Sequence, residues 1–190
     1  MLLFHTGFVE IPVPDLRRGR ANADFGQGFY LSDDPAFSER WATEKKGSKT
    51  YINRYELNTE ELRIKRFERD EDWFHYIFSN RRRLPDALQT FDVIIGPIAN
   101  DILFNTFGIL TSGMLDDAVA MALLQLGPAY TQVVLKTERA KAALRFLGAA
   151  TLNHDTLAAN KVRLAAEEAA FQALFSGTMQ HLLGDTEDGT

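Results

Sequence analysis

Two short blocks of this 190-residue chain hold residue types that could do chemistry. The first, Leu2-Leu3-Phe4-His5-Thr6-Gly7, is an apolar run ending in a histidine close to a glycine. Buried ring nitrogens need partners, so His5 is either a satisfied structural residue or a hydrogen-bonding tool in a cleft. The second block is Asp24-Phe25-Gly26-Gln27-Gly28-Phe29-Tyr30-Leu31. Gly26 and Gly28 permit positive φ or close approach of a ligand to the backbone, and they equally suit a glycine-rich hairpin or bulge. They precede a strand instead of following one and lack the GxGxxG spacing. The block is therefore neither a Rossmann dinucleotide fingerprint nor a phosphate-cradling P-loop. His75, His154 and His181 have no ligand-like spacing, and there is no cysteine. Metal sites, thiolate nucleophiles and disulfides are not expected.

The elements that must position these blocks follow from pattern and punctuation. Strands are expected at Leu2–Gly7, Gly28–Leu31, Thr50–Leu57, Leu62–Phe67, Phe91–Ile95 and Tyr130–Lys136. Asp34 caps, and Pro35 opens, a helix running from Ala36 to Lys46, with Phe37, Trp41 and Ala42 on one face. A second helix, Asp70–Arg83, is acidic at its start and arginine-rich at its end, aligned with the helix dipole. Arg81 to Arg83 read as its solvated end. Further helices are expected at Asn100–Leu110, Leu115–Leu126 and Glu138–Leu147, the last capped by Thr137. The alanine-rich stretch from Thr156 to Leu183 makes one long helix or a helix pair, followed by a disordered acidic tail. Strands both clustered and interleaved with helices indicate an α+β fold.

Composition sets the outer bounds. With 45% hydrophobic and 25% charged residues the chain is globular, and its length suits one domain with a small appendage. A net charge of −5 argues against broad attraction to nucleic acid or membranes. No run approaches the roughly 20 apolar residues of a membrane span. Met1–His5 is too short for the apolar core of a secretion signal, so a cytoplasmic location is expected.

The combination of blocks is more specific than its parts. A strand ending His-Thr-Gly, a loop, then FGQGFYLS leading into a helix resembles the ADP-ribosyltransferase superfamily. The likeness is to the His–Tyr branch shared with poly-ADP-ribose polymerases and diphtheria-type toxins. The order of LFHTG at 3–7, GRANADFGQGFYLSDDPAFSERWA at 19–42, FDVIIGPIAND at 91–101 and QVVLKTERA at 132–140 is similar to a bacterial family of small domains of that kind. The resemblance covers residues 2 to 147 and implies split mixed and antiparallel sheets around an NAD-binding cleft. It divides the chain into such a domain at 1–150, a C-terminal helical extension at 151–183 and a tail at 184–190.

The resemblance implies NAD as co-substrate and assigns roles residue by residue. His5 matches the histidine that hydrogen-bonds a ribose of NAD. Gly7, or Thr6 beside it, matches the backbone clamp on the nicotinamide carboxamide, and Tyr30 the tyrosine whose ring packs on nicotinamide. Gly26 and Gly28 fall in the cofactor-binding motif, while Phe29 and Trp41 are candidates for the cleft wall or for core packing. Where the superfamily supplies a glutamate from a late strand, this chain has Gln132, which can bond a ribose hydroxyl but cannot carry charge. Glu138 and Asp101 are the alternative carboxylates. The implied activity is mono-ADP-ribosyl transfer to a macromolecular acceptor, in a bacterial toxin or phage-defence setting with a neutralising protein as possible partner. A catalytically weak NAD-binding module is the alternative. For a nucleic-acid acceptor, Arg17, Arg18, Arg20 and Arg81–Arg83 are the first places for phosphate contacts.

Overall fold

The computed structural model describes residues 1–99 and 115–184. The chain divides into two compact units, residues 1–98 with 130–164 and residues 99–129 with 165–190. The first unit carries all seven described strands: β1 (Leu2–Gly7), β2 (Phe29–Leu31), β3 (Tyr51–Leu57), β4 (Ile64–Arg66), β5 (Val93–Pro97), β6 (Thr131–Leu135) and β7 (Leu144–Thr151). They form an antiparallel sheet of order β1-β3-β7 and a mixed sheet of order β2-β6-β5-β4, in which only β4 and β5 run parallel. This is the expected α+β class.

Period-two alternation decides which side chains meet. Leu3, Tyr55 and Leu57 of the first sheet share one core with Phe29, Leu31, Val93, Ile95, Val133 and Leu135 of the second. Ile94 and Val134 alternate onto the other face of the second sheet and are also fully buried. A backbone bridge also links the two sheets: Phe4 and Ser32 exchange hydrogen bonds of 2.8 and 2.9 Å, joining β1 to the residue after β2.

Helix α1 (Pro35–Arg40) is capped by Asp34, whose side chain accepts from the Ala36 amide, with proline at its start as expected. It stops six residues short of the expected end. Trp41 closes it, and the chain is drawn on into β3 by the Thr50 hydroxyl, which donates to the Thr43 carbonyl at 2.8 Å. Helix α2 (Glu71–Arg81) is capped by Asp70 and buries Trp73, Phe74, Tyr76 and Ile77. Its end differs from expectation: Arg81 is buried in an ion pair with Asp24, while Arg82 and Arg83 stay in solvent.

The larger difference lies after β6. Thr137 caps α4 (Glu138–Ala142; α3, Asp117–Leu124, belongs to the second unit), but that helix ends where strand β7 begins. The segment Leu144-Arg-Phe-Leu147 favours helix by composition. Along it burial alternates between half-buried and exposed, and it pairs with β3 from Leu57↔Leu144 to Tyr51↔Thr151. Packing against a strand some ninety residues earlier overrides local preference. The long helix α5 spans His154–Gly184. In the first unit, Leu157 is buried and the Asn160 amide donates to the Glu39 carbonyl at 2.7 Å.

The second unit contains α3 (Asp117–Leu124), capped by Asp116 and burying Ala120, Leu123 and Leu124, together with the later turns of α5. The boundary between these two units falls inside the long helix. No described helix is long and apolar enough to cross a membrane. The expected helix Asn100–Leu110, the candidate Asp101 and the tail from 185 onward lie outside the described residues.

Candidate functional site

β1 and β2 belong to different sheets and diverge beyond their single bridge, so side chains at their ends face a common space. A cavity of about 500 Å³ opens there. His5, Gly7, Gly28, Phe29 and Tyr30 line it, together with Phe8, Val9, Ile11, Val13, Asp15 and Arg18 of the β1–β2 loop and Lys45 and Ser48 of the loop before β3.

His5 is held in one tautomer. Its Nδ1 lies 2.8 Å from the Tyr30 carbonyl, which can only accept, so Nδ1 carries the hydrogen and Nε2 keeps a free lone pair. The ring stacks obliquely on Phe29, centroids 4.7 Å apart. Burial pulls the imidazole below its ordinary value of 6.5, with the bond to Tyr30 pushing the other way. The neutral ring is therefore an acceptor at Nε2. That nitrogen sits 3.4 Å from where a Cβ on Gly7 would stand. A hydrogen atom at residue 7 keeps the chain off that nitrogen, and any side chain there would begin in contact with it.

The lowered pKa has a consequence for stability. Below pH 6.5 an unfolded His5 takes up a proton that the folded ring resists, so the unfolded state gains relative stability as pH falls. Melting temperatures at pH 7.5 and 5.5 should fall further for the wild type than for His5→Gln. Equal drops would mean that His5 carries no such linkage.

Tyr30 offers its ring, not its oxygen. The hydroxyl donates to the Gly26 carbonyl at 2.7 Å and accepts from the Phe25 amide at 3.0 Å. Burial, then the charge of Asp24, raises its pKa far above the ordinary 10, so it cannot act as a phenolate base. Tyr30→Phe should keep the ring in place and cost about 1–3 kcal/mol of stability, since it strands a donor and an acceptor in the turn; thermal melting measures this.

Three anchors shape the walls. Asn53 of β3, fully buried, accepts from the Ile11 amide at 2.8 Å and donates to the Val9 carbonyl at 3.1 Å, and the Tyr55 hydroxyl donates to the Ile11 carbonyl at 2.7 Å. The Gln27 amide donates to the Arg17 carbonyl at 2.8 Å. The 24–26 turn is fixed by α2 and β6. Arg81 binds the Asp24 carboxylate, Asn80 donates to the Asp24 carbonyl at 3.2 Å, and Lys136 donates to the Phe25 carbonyl while pairing with Asp86 at 3.1 Å.

The glycines of this block serve the fold. Gly26 has φ +71°, and a Cβ there would meet Asn80 Oδ1 at 2.8 Å; one on Gly28 would meet the Leu135 carbonyl at 2.6 Å. Gly28→Ala should destabilise by roughly 1–3 kcal/mol through overpacking, whereas Gly7→Ala, with ordinary contact distances, should fold normally. Comparing the two melting curves checks this.

The remaining expected site residues fall elsewhere. The Thr6 hydroxyl donates to the Ser38 carbonyl at 2.6 Å. Trp41 packs with Phe37 and Tyr130 and does not line the cavity. Gln132, buried on β6, donates to the Pro97 carbonyl at 3.3 Å, a carbonyl that also accepts from Trp73. Glu138 is exposed and pairs with Lys141 at 2.9 Å. The structure brings together His5, Gly7, Gly28, Phe29 and Tyr30, and it adds Asp15, the single carboxylate among the described lining residues.

A family model described as a protein of unknown function, DUF3990, matches residues 1–146. The chain belongs to this family. No curated protein and no solved structure matches it. The part matched as DUF3990 includes every residue that lines the cavity, whereas all of α5 lies beyond it. Asp15, Arg18, Lys45 and the DUF3990 chain's own Asn53 were not singled out for the cavity from sequence. Two exposed loops far apart in the chain carry the first three, and nothing in their spacing signals that they meet.

Proposed function

We propose that this chain is an NAD-dependent mono-ADP-ribosyltransferase. The observation that supports the reading best is that His5 and Tyr30, from strands of different sheets, line one cavity with complementary offers. One presents a fixed acceptor nitrogen, the other an aromatic face beside Phe29. In the reaction the bond between ribose C1′ and the nicotinamide nitrogen breaks, and nicotinamide leaves with the electron pair. Positive charge grows on the ribose until an acceptor atom bonds C1′ and releases its proton. Tyr30 and Phe29 supply a surface for the flat leaving group, and His5 Nε2 accepts from a ribose hydroxyl. Asp15 is the carboxylate nearest to hand for the developing positive charge. A role as toxin or defence effector, opposed by a neutralising protein in the same cell, suits such a domain.

A second reading has its own observation. Gln132, where a charged glutamate would serve transfer, is tied to the Pro97 carbonyl and cannot supply charge. This favours a module that binds NAD and turns it over poorly. Purified protein incubated with nicotinamide-labelled NAD and cell extract separates the two. Released nicotinamide with a labelled acceptor supports transfer. Saturable binding without release supports the module, and the absence of both release and binding removes both readings.

A further inference from the structure

Two loops meet at the mouth of the cavity, and each exposes three cations. The β1–β2 loop carries Arg17, Arg18 and Arg20, and the loop before β3 carries Lys45, Lys46 and Lys49, all six exposed. Arg18 and Lys45 line the cavity itself, and Arg20 is close enough to act electrostatically on the Tyr30 hydroxyl. The loops are joined by Lys45, whose ammonium lies 5.3 Å from the centre of the Phe8 ring. Their carboxylates are Glu10, Asp15, Asp24 and Glu44, of which Asp24 is buried against Arg81. Asp15 is turned onto the Arg17 amide at 2.9 Å, and Glu44 onto His154 at 3.2 Å. On a chain of net charge −5, this is a local reversal of sign. Phe8 is 37% exposed, Val9 49% and Val13 72%, so large apolar side chains stand in solvent among the cations.

We propose that this rim binds single-stranded nucleic acid, its phosphates on the Arg17–Arg20 and Lys45–Lys49 loops and a base stacked on Phe8. Cations tracking a backbone, interleaved with an exposed aromatic face, are what an unpaired strand requires, and every base offers a π-face to Phe8. A dinucleotide brings only two phosphates and leaves most of the six cations unused. An acidic peptide would use the cations but not the aromatic face. The other basic run does not compete, because Arg81 is buried against Asp24 and Arg82 lies over the Phe78 ring at 3.9 Å. Binding is independent of the transferase reading; that the bound strand is also the acceptor rests on it.

The test is fluorescence anisotropy of a labelled single-stranded dodecanucleotide, as DNA and as RNA, on the full chain without NAD. Saturable binding of either is expected, with log K falling against log salt at a slope of roughly −2 to −4 for three to six phosphates. Lys45→Ala/Lys46→Ala/Lys49→Ala should raise Kd about tenfold or more and flatten the slope by about 2. Phe8→Ala should raise it severalfold, and Arg82→Ala/Arg83→Ala should leave it unchanged; circular dichroism melts confirm that the variants fold. No binding at low salt overturns the proposal, as does binding unaffected by the lysine and Phe8 variants. Equal competition by polyglutamate also overturns it, assigning the rim to acidic peptides.

Discussion

Arg81→Met is expected to lower stability by about 3–5 kcal/mol, because it leaves the Asp24 carboxylate buried without its cation. The pair is almost fully enclosed, with side-chain exposures of 1% and 3%, and both Nε and Nη2 of the arginine reach Asp24 Oδ1, at 3.0 and 2.9 Å. For a domain of this size the loss corresponds to a drop in Tm of roughly 6–20 °C. Removing both charges is a different perturbation. Asp24→Leu/Arg81→Met deletes the stranded charge along with its partner, so the double variant should melt above Arg81→Met alone. If Arg81→Met melted like wild type, the ion pair would not be what secures the 24–26 turn.

The second large effect concerns the cavity. Under the proposed activity, His5→Ala and Tyr30→Ala should each reduce nicotinamide release by about tenfold to a thousandfold, equivalent to about 1.4–4 kcal/mol of barrier. The two failures should differ in kind. His5→Ala removes the acceptor nitrogen and an inward-facing ring, while Tyr30→Ala removes the aromatic wall and loosens the turn that its hydroxyl ties to Gly26. Tyr30→Phe is therefore the decisive control. Its ring remains and its hydroxyl, already spent on the backbone, is lost, so release should stay within a few-fold of wild type at a temperature where it is folded. Loss of activity in Tyr30→Phe as deep as in Tyr30→Ala would contradict a role for the ring. Under the same proposal, Gly7→Val should weaken NAD binding without unfolding the chain, since a Cβ there already stands 3.4 Å from His5 Nε2.

Most strands were legible, and for a physical reason. β1, β3, β5 and β6 are runs whose β-branched and apolar residues alternate or sit between turn residues, and each lies within two residues of where the pattern puts it. Two caps were legible as well: Asp34 and Thr137 each accept a backbone amide at a helix start, whereas Asp70, read as the first helical residue, is itself the cap of α2. What did not show was whatever depends on distant partners. β7 has a helix-favouring composition and becomes a strand only because β3 offers it an edge. Arg81 looks like any helix-end arginine until the Asp24 loop folds over it. Within the site, His5, Phe29 and Tyr30 came from motif reading. Thr6, Trp41 and Gln132 share those blocks, but pleat and helix rotation turn their side chains elsewhere. Asp15 and Lys45 sit in loops, where no periodicity tells which way a side chain faces.

The strand order also bears on how the chain is made. β6 lies between β2 and β5, and β7 completes the sheet begun by β1 and β3. A ribosome delivers β1 and β2 first, yet β2 has no ladder partner until residues 131–135 have emerged. The turn under Tyr30 likewise waits for Lys136. A nascent chain that stops before residue 131 therefore carries every residue that lines the cavity but lacks the ladder that fixes β2 and the lysine that ties the turn beneath it. The geometry of that cavity is thus set late, by strand β6 and Lys136, although its lining is synthesised early.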